Sequence, residues 1–300
     1  MKNESGADFR AALEEHLRTI SFKTGEAQIR LRKLAAMERF LARLADGQPA
    51  SWQLKGGLAL QIRSSNRFQT SEDLDMLVFI RGEQVIQFLE QAGARDVGDW
   101  FYFEIDPSDS AGSLTETGQG RLTIRVVLAG RDFETFHLDV SVGENGFWPA
   151  ETFPIISLFG FADLLTTLVL CSRLAWQAAE KFYTYTHPQD HKIFSKLENL
   201  IDLLTIASLG EMDGMELYEA IGSSFRNHQA GPIPGKVAEP AASRERSFNR
   251  MAVEAGLTIT DLPAAYEALK GFLEPVLSGT QAGKWDPHGW KWSTPFVTSL

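Results

Sequence analysis

The chain holds 300 residues, 44% of them hydrophobic and 23% charged, with a formal net charge of −10. Such a composition supplies a core and excludes disorder over the full length, and the acidic balance argues against a protein coated in nucleic acid while leaving room for a local basic patch. One cysteine excludes an internal disulfide and any multi-cysteine metal site; the opening MKNESGADFRAALEEH lacks the apolar stretch of a signal peptide, and no apolar window of about eighteen residues reads as a transmembrane helix, so a reducing, cytoplasmic setting without membrane contact is expected.

Residues 7–20 read as a helix, with Phe9, Leu13 and Leu17 spaced by four. A second helix is expected over 24–45. Ile29, Leu34, Met37, Leu41 and Leu44 form its apolar stripe, and Asp46-Gly47-Gln48-Pro49 stops it. Arg32, Arg39 and Arg43 share another face, which reads either as a solvated surface or as a contact for an RNA backbone. Short strands are then expected over 52–54, 74–80, 101–105, 122–128 and 136–142, with a helix over 85–92. Residues 106–112 read as a loop, Gly118-Gln119-Gly120 as a turn, and Gly130-Arg131-Asp132 as a hairpin connection.

From about residue 157 the pattern turns helical. A long helix is expected over 162–185, with Cys171 in the run Leu168-Val169-Leu170-Cys171 as a small buried hydrophobe. An amphipathic helix over 196–208, a Pro- and Gly-rich loop over 230–243 and a last helix over 262–277 follow. The tail has no regular period; Trp285, Trp290 and Trp292 either staple it down or, with Lys284 and Lys291, stack bases. Strands first and helices after predict an α+β protein: residues 1–155 hold N-terminal helices and a sheet core, and residues 156–300 form a helical domain.

Chemistry concentrates at two places in the first half. Asp73 and Asp75 lie two apart at the start of a strand, so both carboxylates share one face. Their repulsion is unfavourable unless a cation neutralises it, and a hard divalent cation prefers such oxygen ligands; alternatively they are solvated acids at a strand mouth. Lys55-Gly56-Gly57 sits between a strand and a helix, where backbone N–H groups and absent side chains admit a phosphate. Arg63 and Arg67 flank that turn and are better candidates for phosphate contact than the arginines of the second helix. Asp139, on another expected strand, is a third acid able to bind metal or to take a proton from an attacking hydroxyl. His137 and His191 have no metal-ligand spacing to another His or Cys.

Several spaced motifs, in order, resemble the AbiEii-type nucleotidyltransferase toxins, within the superfamily that includes DNA polymerase beta. FRAALEEHLRTISFKTGEAQIRLRKLAAMERFLARLADGQPASWQLKGGLAL is similar to the family's N-terminal helices and Gly-Gly motif, TSEDLDMLV to its Ser/Thr-x-Asp-x-Asp motif, and FETFHLDVSVG to the strand of the third acid. AAEKFYTYTHP resembles its Ala-Glu-Lys-Leu-His-Ala-Tyr-Thr element and KLENLIDLL its Arg-x-Lys-Asp-Leu-x-Asp-Leu element. Phe182, Tyr183, Thr184, Lys196 and Asn199 stand where that pattern has Leu, His, Ala, Arg and Asp. The exchange at Lys196 keeps the charge without the planar fork of arginine; that at Asn199 removes a charge.

The resemblance implies a nucleotidyltransferase-like mixed sheet core with a C-terminal helical domain. It implies transfer of a nucleoside monophosphate from an NTP to a hydroxyl, with two Mg²⁺ ions on Asp73, Asp75 and Asp139. Gly56 and Gly57 would cradle the β- and γ-phosphates, Lys181 would neutralise them, Asp202 would orient Lys181 or the nucleotide, and Lys55 and Lys196 would bind nucleotide. Glu180 is expected to be structural or solvated. The implied acceptor is the 3′ end of tRNA, with a cognate antitoxin as partner and no DNA. A protein or small-molecule hydroxyl as acceptor, or a silent nucleotide-binding relative, are the alternatives.

Overall fold

A computed structural model describes residues 5–64, 73–106, 114, 116–143, 148–155, 157–162, 164–187, 195–279 and 283–293. Arg67, the Thr70–Glu72 part of the acidic motif, His191 and all of the expected 106–112 loop beyond Asp106 lie outside the described residues. The chain divides into two compact units, the first ending at Ser172 and the second beginning at Arg173. No helix among the described residues is long and apolar enough to cross a membrane.

Two helices lead the first unit. α1 (Gly6–Thr24) buries Phe9, Leu13 and Leu17; the Ser5 side chain caps it by accepting from the Asp8 amide. Gly25 ends it at φ 78°, a left-handed turn suited to glycine. α2 (Gln28–Gly47) therefore starts later than the expected residue 24. β1 (Trp52–Lys55), α3 (Gly56–Arg63), β2 (Asp73–Val78), α4 (Gly82–Gly93), β3 (Phe101–Asp106), β4 (Gln119–Leu128), β5 (Arg131–Val142), β6 (Ala150–Pro154) and β7 (Leu168–Ser172) follow.

The strands form one seven-stranded mixed sheet in the order β3-β4-β5-β2-β1-β7-β6, which makes the fold α+β. β3, β4 and β5 are an antiparallel meander. β2 lies parallel to β5 and antiparallel to β1, and β7 runs parallel to β1 on its far side. Alternation decides the faces: Leu122, Ile124, Val126, Phe136, Leu138 and Val140 are buried, while Arg121, Arg125 and His137 stay exposed. On the apolar face Phe40 of α2 meets Phe103 and Phe136, with centroids 5.2 and 5.9 Å away. Ala129 and Gly130, at φ 51° and 73°, make the two-residue turn between β4 and β5, just ahead of the expected connection. Gly118 does turn, at φ 67°, but Gln119 and Gly120 already belong to β4.

Several expectations change. The helix over 162–185 is in fact a strand followed by a helix, β7 and then α5 (Leu174–Thr186). An apolar run such as Leu168–Cys171 suits either state, and β1 offers an open edge on which Leu54 pairs with Cys171. Cys171 is fully buried, as expected. β6 was not expected and pairs along the whole of β7.

The arginine face of α2 is neither solvated nor available to RNA. Arg39 and Arg43 are buried around the fully buried Asp99. Arg39 Nε donates to Asp99 Oδ2 at 2.5 Å, and Arg43 donates to both Asp99 oxygens at 2.5 and 2.9 Å. Arg43 also donates to the Phe101 carbonyl at 2.7 Å, which ties the approach to β3 onto α2. Arg32 pairs with Glu14 of α1 at 2.7 Å and lies 4.5 Å over the Phe133 ring. Burial alone would raise the Asp99 carboxyl, but the Arg43 hydrogen bond and the charges of Arg43 and Arg39 outweigh it and hold it below its ordinary value.

The second unit opens with α5 and continues through α6 (Ser195–Leu209), β8 (Met212–Asp213), α7 (Gly214–Asn227), α8 (Glu245–Glu254) and α9 (Leu262–Leu277). Asp213 and Asp261 cap α7 and α9 by accepting from backbone amides of their first turns. The tail is regular after all: β9 (Lys284–Asp286) and β10 (Lys291–Trp292) join β8 in a three-stranded sheet. Its indoles are staples. Trp285 donates to the Ala207 carbonyl at 2.7 Å, Trp292 to Phe272 at 2.8 Å and Trp290 to Ala268 at 3.3 Å.

Asp99→Asn leaves two buried arginines without a counter-charge and is expected to cost about 3–5 kcal/mol, read from urea unfolding at pH 7. A carboxyl with a lowered folded pKa stabilises fully above its unfolded value, ~3.9, and loses that contribution as pH falls through the folded value. The stability gap between wild type and variant should therefore hold steady from ~pH 5 to 8 and narrow below ~pH 4.

Candidate active site

The parallel ladder between β2 and β5 sets Asp75 directly opposite Asp139 and Asp73 opposite His137. On the outer side of β2, β1 places Lys55 opposite Asp75; on the outer side of β5, β4 places Arg121 opposite Asp139. Residues paired across strands share a face. One row across four strands thus reads Lys55, Asp75, Asp139, Arg121: cation, anion, anion, cation. Asp73 lies on the same face as Asp75, two residues along.

Arg121 is the member that sequence reasoning missed. Its guanidinium bridges two acids, 2.7 Å from Asp73 Oδ2 and 3.3 Å from Asp139 Oδ2. Partial burial works against its charge, yet the hydrogen bond to Asp73 and the fields of Asp139, Asp73 and Asp75 outweigh that and raise its pKa. Burial and the Asp73 charge push the Asp139 carboxyl up against the opposing pull of Arg121, Lys55 and His137. Lys55 Nζ donates to Ser141 Oγ at 3.0 Å, beside the row. Pairing outward from the Ala129–Gly130 turn without interruption would put Leu138, not Asp139, opposite Arg121; a bulge at Val126/Val127 shifts the register by one.

Gly56 adjoins the row from the turn that ends β1 and opens α3. It stands at φ 65°, and a Cβ built there would collide with the Asp75 carboxylate. Both facts demand glycine. Gly57, next to it, is exposed.

Arg63 sits at the other end of α3 with its side chain 7% exposed. It forms an ion pair with Glu151, donates to the Ser172 carbonyl at 2.8 Å, and stacks 4.4 Å over Phe153. Those partners occupy its guanidinium inside the β6–β7 edge of the sheet.

Within the second unit, Lys181 on α5 pairs with Asp202 on α6 at 2.8 Å, both about one-third exposed. Lys196 donates to the Glu239 carbonyl at 3.2 Å and lies 4.9 Å over the Tyr185 ring, and burial lowers its pKa. Glu180 accepts from Ser224 Oγ at 2.7 Å and lies 3.5 Å from His228, clasping α5 to α7. Residues that depart from the family pattern meet here. Thr184 Oγ1 donates to Asn199 Oδ1 at 3.0 Å. Tyr183 is stacked between His187 and His228, with centroids 4.6 and 3.9 Å away.

Among the described residues no group of three or more His, Cys, Asp or Glu side chains is gathered tightly enough to hold a metal ion as it stands. The Arg121 guanidinium lies between two of the acids.

Among solved structures, MenT4, a nucleotidyltransferase toxin from Mycobacterium tuberculosis H37Rv, superposes with a TM-score of 0.59 at 18% identity, over 94% of this chain and 92% of that one. At that identity the match speaks for the fold. A comparison with curated protein sequences finds no significant match. The sequence matches the family model described as nucleotidyl transferase AbiEii toxin, type IV toxin–antitoxin system, over residues 39–291. Since that match spans most of the chain, the protein belongs to the AbiEii family of nucleotidyltransferase toxins, whose type IV toxin–antitoxin setting implies a cognate antitoxin.

Proposed function

We infer that the protein transfers a nucleoside monophosphate from an NTP to the 3′-hydroxyl of tRNA, blocking aminoacylation. The new bond joins the acceptor oxygen to the α-phosphorus, the bond from that phosphorus to the bridging oxygen breaks, and pyrophosphate leaves. The carrying observation is the row in which Asp75 and Asp139 lie side by side with Gly56 against Asp75.

The donor set fits Mg²⁺. Asp73 and Asp139 already turn one oxygen each to a single cation, Arg121, and carboxylate oxygens suit a hard divalent ion. Asp73, Asp75 and Asp139 are the residues that would hold it. When bound it would neutralise the triphosphate and lower the pKa of the acceptor hydroxyl. Asp139 either completes that set or takes the hydroxyl proton. Gly56 and Gly57 leave room for phosphate oxygens against the backbone at the start of α3, and Lys55 adds a positive charge there. Lys181, oriented by Asp202, is assigned to the triphosphate as a point charge. Arg63 would have to surrender Glu151 and a backbone carbonyl to serve as a phosphate ligand, so it has no part in this scheme; neither does Lys196, which rests on Glu239 and Tyr185.

One observation favours a second reading, with a protein or small-molecule hydroxyl as acceptor. Arg39 and Arg43 are spent on Asp99 inside the first unit and offer no contact to RNA, and the chain carries a net charge of −10, which opposes a polyanion.

Incubation with Mg²⁺, each labelled NTP and total bacterial tRNA should label tRNA with wild type and not with Asp75→Ala. Label confined to protein lysate or small molecules would replace tRNA by the second reading, and nucleotide binding without any transfer would leave a silent relative. Gly56→Ala should reduce transfer by about 100-fold, because displacing a reacting group by ~1 Å costs that much. Its folded structure should persist by circular dichroism, with a loss of roughly 1–2 kcal/mol for the positive-φ strain.

A further inference from the structure

Asp73, Asp75 and Asp139 put three carboxylates on adjoining positions of two neighbouring strands. Such a cluster repels itself whenever no divalent ion is bound. Arg121 answers that repulsion from a third strand. Its planar fork spans two acids at once, 2.7 Å to Asp73 and 3.3 Å to Asp139. A lysine, with one point of charge, has no such reach. The oxygens it engages are the ones a divalent cation would need. Mg²⁺ demands near-octahedral oxygen geometry at close range and does not share a carboxylate oxygen lightly with a guanidinium. Arg121 and the ion therefore compete for one place.

The side chain is built to yield. Arg121 is 51% exposed and stands on β4, on the face opposite the buried apolar one. It can swing into water without opening the core, unlike Arg39 and Arg43, which are locked around Asp99.

We propose that Arg121 is a resident stand-in cation: it holds Asp73 and Asp139 in place while the metal is absent, and leaves their oxygens when a divalent ion enters. It is a positioning residue, acting through the acids. The assignment rests on the reading that these acids take Mg²⁺. Two consequences separate it from a purely structural role. Removing Arg121 should tighten the binding of a bare divalent ion, and it should make the metal-free protein depend on that ion for stability.

The test uses the full chain stripped with EDTA and titrated with Mn²⁺ in the absence of nucleotide, free Mn²⁺ being counted by electron paramagnetic resonance. Arg121→Gln should bind Mn²⁺ roughly three- to tenfold more tightly than wild type, as expected for freeing the exposed carboxylates of Asp73 and Asp139. Arg121→Lys should fall between the two. In EDTA, Arg121→Gln should melt below wild type, and saturating Mn²⁺ should close that gap. Damage to the fold would weaken metal binding, not strengthen it. Equal or weaker Mn²⁺ binding by both Arg121 variants, with wild type binding and Asp75→Ala not, would overturn the role of Arg121 alone. Absence of Mn²⁺ binding by wild type and variants alike would overturn the metal reading together with it.

Discussion

Two aspartates that face each other across a parallel ladder repel, and the first unit is arranged around that repulsion. Asp75 and Asp139 occupy the middle of a four-strand row, and the strands outside them bring one cation each, Lys55 and Arg121. The arrangement depends on β2 lying between β1 and β5, because only a central strand can have a neighbour on both sides. It depends also on the bulge near Val126, without which the outer arginine would meet a leucine meant for the core. Gly56 completes it from the turn, where any side chain would strike Asp75. Charge placement, register and the obligatory glycine at 56 are a single constraint expressed three ways.

The second unit shows a different economy. Two residues that depart from the family pattern, Thr184 and Asn199, hydrogen-bond to each other, so the charge removed at 199 is matched by a neutral hydroxyl in place of a methyl. Tyr183, which replaces a histidine, lies between two other histidine rings. Such changes are better understood as one repacked α5–α6–α7 junction than as separate losses. They leave the Lys181–Asp202 pair intact.

How much of this was legible depended on the range of the interaction that decides it. Periodicity located α2, α4, α9 and the strands of the meander to within a few residues, because alternation and three-four spacing are local. The acids were visible because two carboxylates two apart on an apolar strand call for a reason. Arg121 was hidden, since its place opposite Asp139 turns on one bulged residue that no pattern announces. β7 was read as helix because its partner β1 lies far earlier in the chain. Asp99 sits among turn residues, Gly98 and Trp100, and nothing nearby hints at two arginines from α2. The regular tail was missed for a similar reason: its indoles answer to carbonyls of α6 and α9.

The order of strands in the sheet has a temporal meaning. β1 is made early, yet one of its neighbours, β7, is among the last segments of the first unit to be synthesised. Pairings so distant in sequence form slowly, and on a ribosome they wait for the later strand to emerge. β5 brings Asp139 late for the same reason. A nascent chain therefore carries the glycine turn and Asp73 and Asp75 well before it carries the wall opposite them. The face that carries the three acids is therefore complete only when β5 has joined β2.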